Sequence, residues 1–154
     1  MDRIIIPRQF SKYGIYTSSF VLLNSLVAYL HGHLTLAFLL ICLFFTSIEN
    51  WLNMYLMSPI KILDIFFACS CILFITFETS QTFTDYFRDL WFDYVIGATL
   101  IFTLNTTIFY EELNKSPDYE VADQILIFHV WTHLLVMHIM STVICMAGII
   151  YSKT

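Results

Sequence analysis

Four runs of almost uninterrupted apolar residues, each close to 20 long, constrain this chain more than any other feature. They lie at about 14–30, 34–52, 60–77 and 124–151. About 20 apolar residues rising 1.5 Å each cross the hydrocarbon core of a bilayer. A fifth run, about 94–110, is interrupted by Thr103, Asn105, Thr106 and Thr107, and those polar groups predict that it faces other helices rather than lipid. With 58% hydrophobic and 12% charged residues and a mean hydropathy of +0.75, the chain's preferred solvent is lipid. The expectation is an all-α, polytopic membrane helical bundle of about five transmembrane helices, forming one integral membrane domain over 1–154. Among membranes, the mitochondrial inner membrane and the endomembranes both suit such a chain.

The breaks between runs carry local signals. His31-Gly32-His33 reads as a short solvated turn. Ser58-Pro59 reads as an N-cap followed by proline at the first helical position. The stretch 78–93, rich in Phe, Tyr and Trp but carrying Asp85, Arg88, Asp89 and Asp93, predicts an interfacial segment at headgroup level. The linker EELNKSPDYEVAD is acidic and predicts a solvated loop, with Asp123 available to cap the last span. Trp51, Trp91 and Trp131 are expected to divide into two interfacial anchors and one residue packed between spans. The N-terminal MDRIIIPRQFSKYG lacks a small-residue cleavage site and reads as retained.

Five spans with the N-terminus inside put Arg3, Arg8, Lys12, Lys61 and Lys115 on the inner side, against Arg88 and Lys153 outside. The net charge of −5 and the lack of a basic cluster exclude nucleic acid as a partner. Cys42, Cys69, Cys71 and Cys145 all fall in apolar segments and read as small buried hydrophobes.

Ionisable groups inside lipid are costly and therefore informative. The segment FHVWTHLLVMH, 128–138, places three imidazoles in the last span. His129 and His133 are four apart, which on an α-helix puts them one above the other, at a spacing that suits a shared metal. His138 should point well away from that pair. Because span two ends where spans three and five begin, Glu49, Asn50, Asp64, His129 and His133 share one leaflet and can converge on one buried pocket. For each there is a plainer alternative. The histidines can hydrogen-bond to Asn105 or Thr106, Asp64 can pair with Lys61 at the interface, and Ser47 can bond its own helix.

Taken together, SSFVLLNSLVAYLHGHLTLAFLLICLFFTSIENWLN, KILDIFFA and HVWTHLLVMHIMS resemble the CREST superfamily, which includes alkaline ceramidases, adiponectin receptors and a muscle fusion protein. The resemblance implies a zinc-dependent hydrolase of lipid amides or esters. Ser47 matches the family's serine, Asp64 its aspartate, and His129 with His133 its last-span pair. The family's first histidine has no counterpart, and its place falls within Glu49-Asn50-Trp51. With Glu49 substituting, His129, His133 and Glu49 would hold Zn²⁺, Asp64 would accept the proton of its bound water, and Ser47 would support the oxyanion. The family has seven spans rather than five. Its partners would be the lipid bilayer and a lipid substrate. The alternative is a non-catalytic small subunit bound to other membrane subunits of a larger, respiratory-type assembly, with His138 as a haem ligand.

Overall fold

The computed structural model describes residue 6 and residues 8–52, 58–115 and 123–153. The N-terminal arginine Arg3 and the centre of the acidic linker, 116–122, lie outside the described residues. Among those described, five helices are long and apolar enough to cross a membrane.

Helix α1 (Arg8–Leu30) and α2 (Leu34–Leu52) form an antiparallel pair closed by Gly32, whose φ of 82° is the left-handed conformation that favours glycine. His31 is exposed in that turn and His33 half-buried. Burial and the neighbouring His31 hold the His33 imidazole below its usual range. Helix α3 (Pro59–Phe77) starts as the Ser-Pro signal requires: the Lys61 amide donates to Ser58 Oγ at 3.1 Å, and Pro59 occupies the first turn. A 3₁₀ turn (Thr79–Thr82) leads into α4 (Asp85–Lys115). The last span is one rod with three parts, α5 (Asp123–Thr132), a π-helical segment (His133–Met140) and α6 (Ser141–Ile150).

Of the stretch read as interfacial, 78–93, the first part holds the 3₁₀ turn and the rest forms the first turns of α4, which runs without a break from Asp85 into the span. A 31-residue helix is about 46 Å long, so its charged end projects beyond a hydrocarbon core of about 30 Å. On α4 only Asn105 of the polar cluster is buried, facing α5. Thr103 and Thr107 are exposed on the lipid side, with Thr107 Oγ1 donating back to the Thr103 carbonyl at 2.9 Å. The tryptophans also differ from expectation, since Trp51 and Trp91 are both buried and Trp131 alone is half exposed, beside Tyr13. Cys69 is exposed, whereas Cys71 and Cys145 are buried.

The helices form an open arc rather than a closed ring. Helix α1 packs along α2 and against the π segment and α6, α2 packs along α3, and α4 packs along the last span, while α3 and α4 stand farther apart and are bridged by side chains near both ends of their seam, Lys61 donating to the Tyr110 hydroxyl at one and Trp91 Nε1 donating to Thr76 Oγ1 at 3.0 Å at the other. One end of the arc is tied by the chain's other connections. Ser152 pairs with Phe83 in an isolated β-bridge, the Lys153 amide donates to Thr82 O at 2.7 Å, and Phe83 lies against Gly148. At the opposite end Ile6, Trp51, Phe109, Leu113, Leu126, Val130 and Leu134 make a second apolar cluster.

Candidate functional site

The π segment decides how the histidines are arranged. On a regular α-helix, residues five apart differ by about 140°, which is why His138 was expected to point away. The i→i+5 bonding of a π-helix returns His138 to the side of His133, and the two rings meet edge to face with centroids 5.2 Å apart. Side-chain hydroxyls from outside the backbone ladder support the widened turn. Tyr94 donates to Val136 O at 2.8 Å, and Ser141 donates to Met137 O. Trp51 packs edge-on against both imidazoles, at 5.3 Å from His133 and 6.0 Å from His138.

His138 is fixed from α1. Its Nδ1 lies 3.0 Å from Thr17 Oγ1, which itself donates to Gly14 O at 3.1 Å. With that hydroxyl proton committed, Nδ1 carries the proton and donates to Thr17, and Nε2 is left as the acceptor. His129 is held elsewhere. Its Nδ1 meets Asn105 Oδ1 at 2.5 Å, and its ring stacks on Phe109 with centroids 4.1 Å apart.

Asp64 faces inward from α3 and is gripped from α2, by Asn50 Nδ2 at 2.9 Å on one oxygen and Thr46 Oγ1 at 3.3 Å on the other. Lys61, one turn earlier, donates to the Tyr110 hydroxyl of α4 at 2.7 Å. Ser47 is buried and accepts a hydrogen bond from Ser18 of α1 at 3.2 Å.

Ser47, Asp64, His133 and His138 line one cavity of about 170 Å³ inside the arc, together with Asn24 of α1 and Trp91 of α4. Most of its remaining wall is apolar, and it reaches the lipid-facing residues Ile65 and Cys69 of α3. Ile72, Phe102 and Met137 separate it from a smaller crevice of about 100 Å³ that continues along the seam between α3 and α4. Counting from the helix starts, Asp64 lies about 8 Å and His133 about 15 Å into the bundle. The cavity thus runs from near one surface towards the middle.

Of the residues expected to hold zinc, the structure does not bring the set together. Glu49 is exposed on the outer face of α2, His129 is stacked against Phe109, and only His133 lines the cavity. Among the described residues no three His, Cys, Asp or Glu side chains form a group able to hold a metal ion. A haem fits no better. An apolar cavity of about 150 Å³ holds one benzene, so the present volume is far below that of a porphyrin.

Thr17, Asn24 and Tyr94 belong to the site and were not singled out from the sequence, whereas Trp51, read there as an anchor or packing residue, proves to be the ring against which both imidazoles pack. A signal was present for Thr17 and Asn24. Ser11, Ser18 and Ser25 repeat every seven residues on α1, and Thr17 and Asn24 repeat with the same spacing, marking the face that meets α2 and the last span. Comparison of the chain with protein-family models, with curated proteins and with solved structures returns no match.

Proposed function

We propose that this integral membrane protein takes the polar end of a bilayer lipid sideways, through the seam between α3 and α4, and holds it in the cavity while the acyl chain remains in the seam or the bilayer. The observation that carries the reading is the pairing of two features in one cavity. Its wall bears a carboxylate and two imidazoles, groups that are costly to keep in a membrane, and it reaches exposed residues of α3, Ile65 and Cys69, beside the stretch of the α3–α4 seam that lies between the Lys61–Tyr110 and Trp91–Thr76 bridges. A soluble ligand would need an aqueous mouth. A lipid already resides at this one, and a volume of about 170 Å³ suits a headgroup of a few atoms rather than a whole lipid.

Hydrolysis of a lipid amide or ester is the second reading, favoured by Asp64 and His133 facing the same space as Ser47. Either of the first two is a candidate to take a proton from water, and the Ser47 hydroxyl is a candidate donor to an oxyanion. The likeness to the CREST plan then rests on Ser47, Asp64 and His133, with His138 beside it.

Photo-crosslinking tests the binding reading. Full-length protein in vesicles containing a diazirine-bearing phosphatidylcholine or acylglycerol should crosslink at Ile72 or Phe102, and Ala68→Phe, which fills the cavity from α3, should abolish that labelling. Labelling spread evenly over the lipid-facing residues, and unchanged by Ala68→Phe, would refute it. Release of a fluorescent fatty acid from an ester or amide reporter, lost in Asp64→Asn, would establish the hydrolytic reading.

A further inference from the structure

The cavity contains a polar atom that the protein leaves unused. Asn24 is 2% exposed, lines the cavity from α1, and its Oδ1 has no hydrogen-bond partner among the described residues. A buried amide acceptor left unmet keeps the full cost of its desolvation, and in a membrane interior there is no bulk water to relieve it. Nearer the Asp64 end of the bundle, Asn50 Oδ1 is also buried without a partner among the described residues, on the side chain whose Nδ2 grips Asp64. The Asp64 carboxylate, another acceptor, lines the cavity from α3. Of the hydroxyls that line the cavity, Ser141 donates to Met137 O, and Ser47 accepts from Ser18.

We infer that the lipid held here presents hydrogen-bond donors and no negative charge, and specifically that it is a neutral lipid with free hydroxyls, of the monoacylglycerol or long-chain alcohol class. This rests on the reading of the cavity as a lipid site. A buried acceptor without a partner selects a donor-bearing headgroup, because only such a group satisfies Asn24 Oδ1 on binding. The Asp64 carboxylate on the same wall opposes a fatty-acid carboxylate or a phosphate through like-charge repulsion in a medium of low dielectric. A fatty-acid methyl ester has the same chain and carbonyl but no donor, and it should leave Asn24 unmet.

The test is equilibrium binding of radiolabelled monooleoylglycerol, methyl oleate and oleate to the full-length protein in detergent micelles. Saturable binding of one monooleoylglycerol per chain is expected, with methyl oleate and oleate each at least fivefold to tenfold weaker, the effect of one or two net hydrogen bonds. Asn24→Leu, which keeps a similar volume and removes the acceptor, should bring monooleoylglycerol down to the methyl oleate level and leave methyl oleate unchanged. Should that variant not fold, the three-lipid series on the native chain still decides the matter. Equal binding of monooleoylglycerol and methyl oleate, or tighter binding of oleate, would overturn the donor inference and leave the lipid site standing. Failure of all three lipids to saturate would overturn the site itself.

Discussion

Gly14 sets how closely the site can be built, and replacing it by alanine is the most direct way to disturb the histidines without touching them. A Cβ at this position would meet three ring carbons of Trp51, none of them farther than 2.5 Å. Carbon atoms pack at about 3.5–4.0 Å, so the indole must retreat by about 1 Å or more, and it is an aromatic ring wedged between α1 and the His133–His138 pair. Overpacking of this kind costs about 1–3 kcal/mol, while the helix gains up to about 1 kcal/mol when glycine becomes alanine. The expected net effect is a loss of about 1–2 kcal/mol.

Gly97 provides the internal control, because a Cβ there meets nothing within 4 Å. Gly97→Ala should therefore be neutral or stabilising by up to about 1 kcal/mol. The assay is reversible unfolding by SDS in mixed micelles, read by circular dichroism. It should be repeated in a Trp51→Leu background, where Gly14→Ala should lose most of its penalty, giving a coupling of about 1 kcal/mol or more. Equal effects for Gly14→Ala and Gly97→Ala, or a Gly14→Ala penalty that survives Trp51→Leu, would refute the close packing of α1 on the indole and, with it, the placement of the imidazoles.

Tyr94→Phe should cost about 1–3 kcal/mol in the same unfolding assay, because it strips the hydroxyl that satisfies the Val136 carbonyl in the π segment; a change under about 0.5 kcal/mol would show that the widened turn does not depend on it. Metal analysis of protein purified without chelator should give well under one zinc per chain, unchanged in His133→Ala, and added haemin should produce no stoichiometric Soret band, since neither ligand set is gathered. Lys153→Ala should leave stability close to unchanged, its ion pair with Asp85 being exposed, whereas Gly148→Ala, which drives a Cβ into the Phe83 ring, should cost more than about 1 kcal/mol. The His33 imidazole is held below its usual range, so the unfolded chain binds its proton more readily than the folded one. Stability from this turn is full above about pH 6.5 and declines as the pH falls below it. His33→Gln should flatten that acid limb in a pH series of the unfolding assay.

The sequence by itself determined that this chain is a multi-pass bundle. Long apolar runs have one outcome in lipid, where each segment must satisfy its own backbone, so four of the five spans could be read to within a few residues from hydropathy, Gly32 and Ser58-Pro59. It also placed Asp64 and Ser47 on helices that meet, because the alternation of sides in an antiparallel bundle fixes which ends share a leaflet. The arrangement of the histidines was decided only in the tertiary structure. Whether His133 has His129 or His138 as its neighbour depends on one change of helical register, and that register is held by Tyr94, 42 residues away. Glu49 was lost from the site for a similar reason: 100° of rotation separates it from Asn50, and the packing of α2 on α3 turns the amide inward and the carboxylate out. Local propensity sees spacing along one helix, whereas a site between helices is set by how those helices rotate against each other, and that is decided by contacts far apart in the chain.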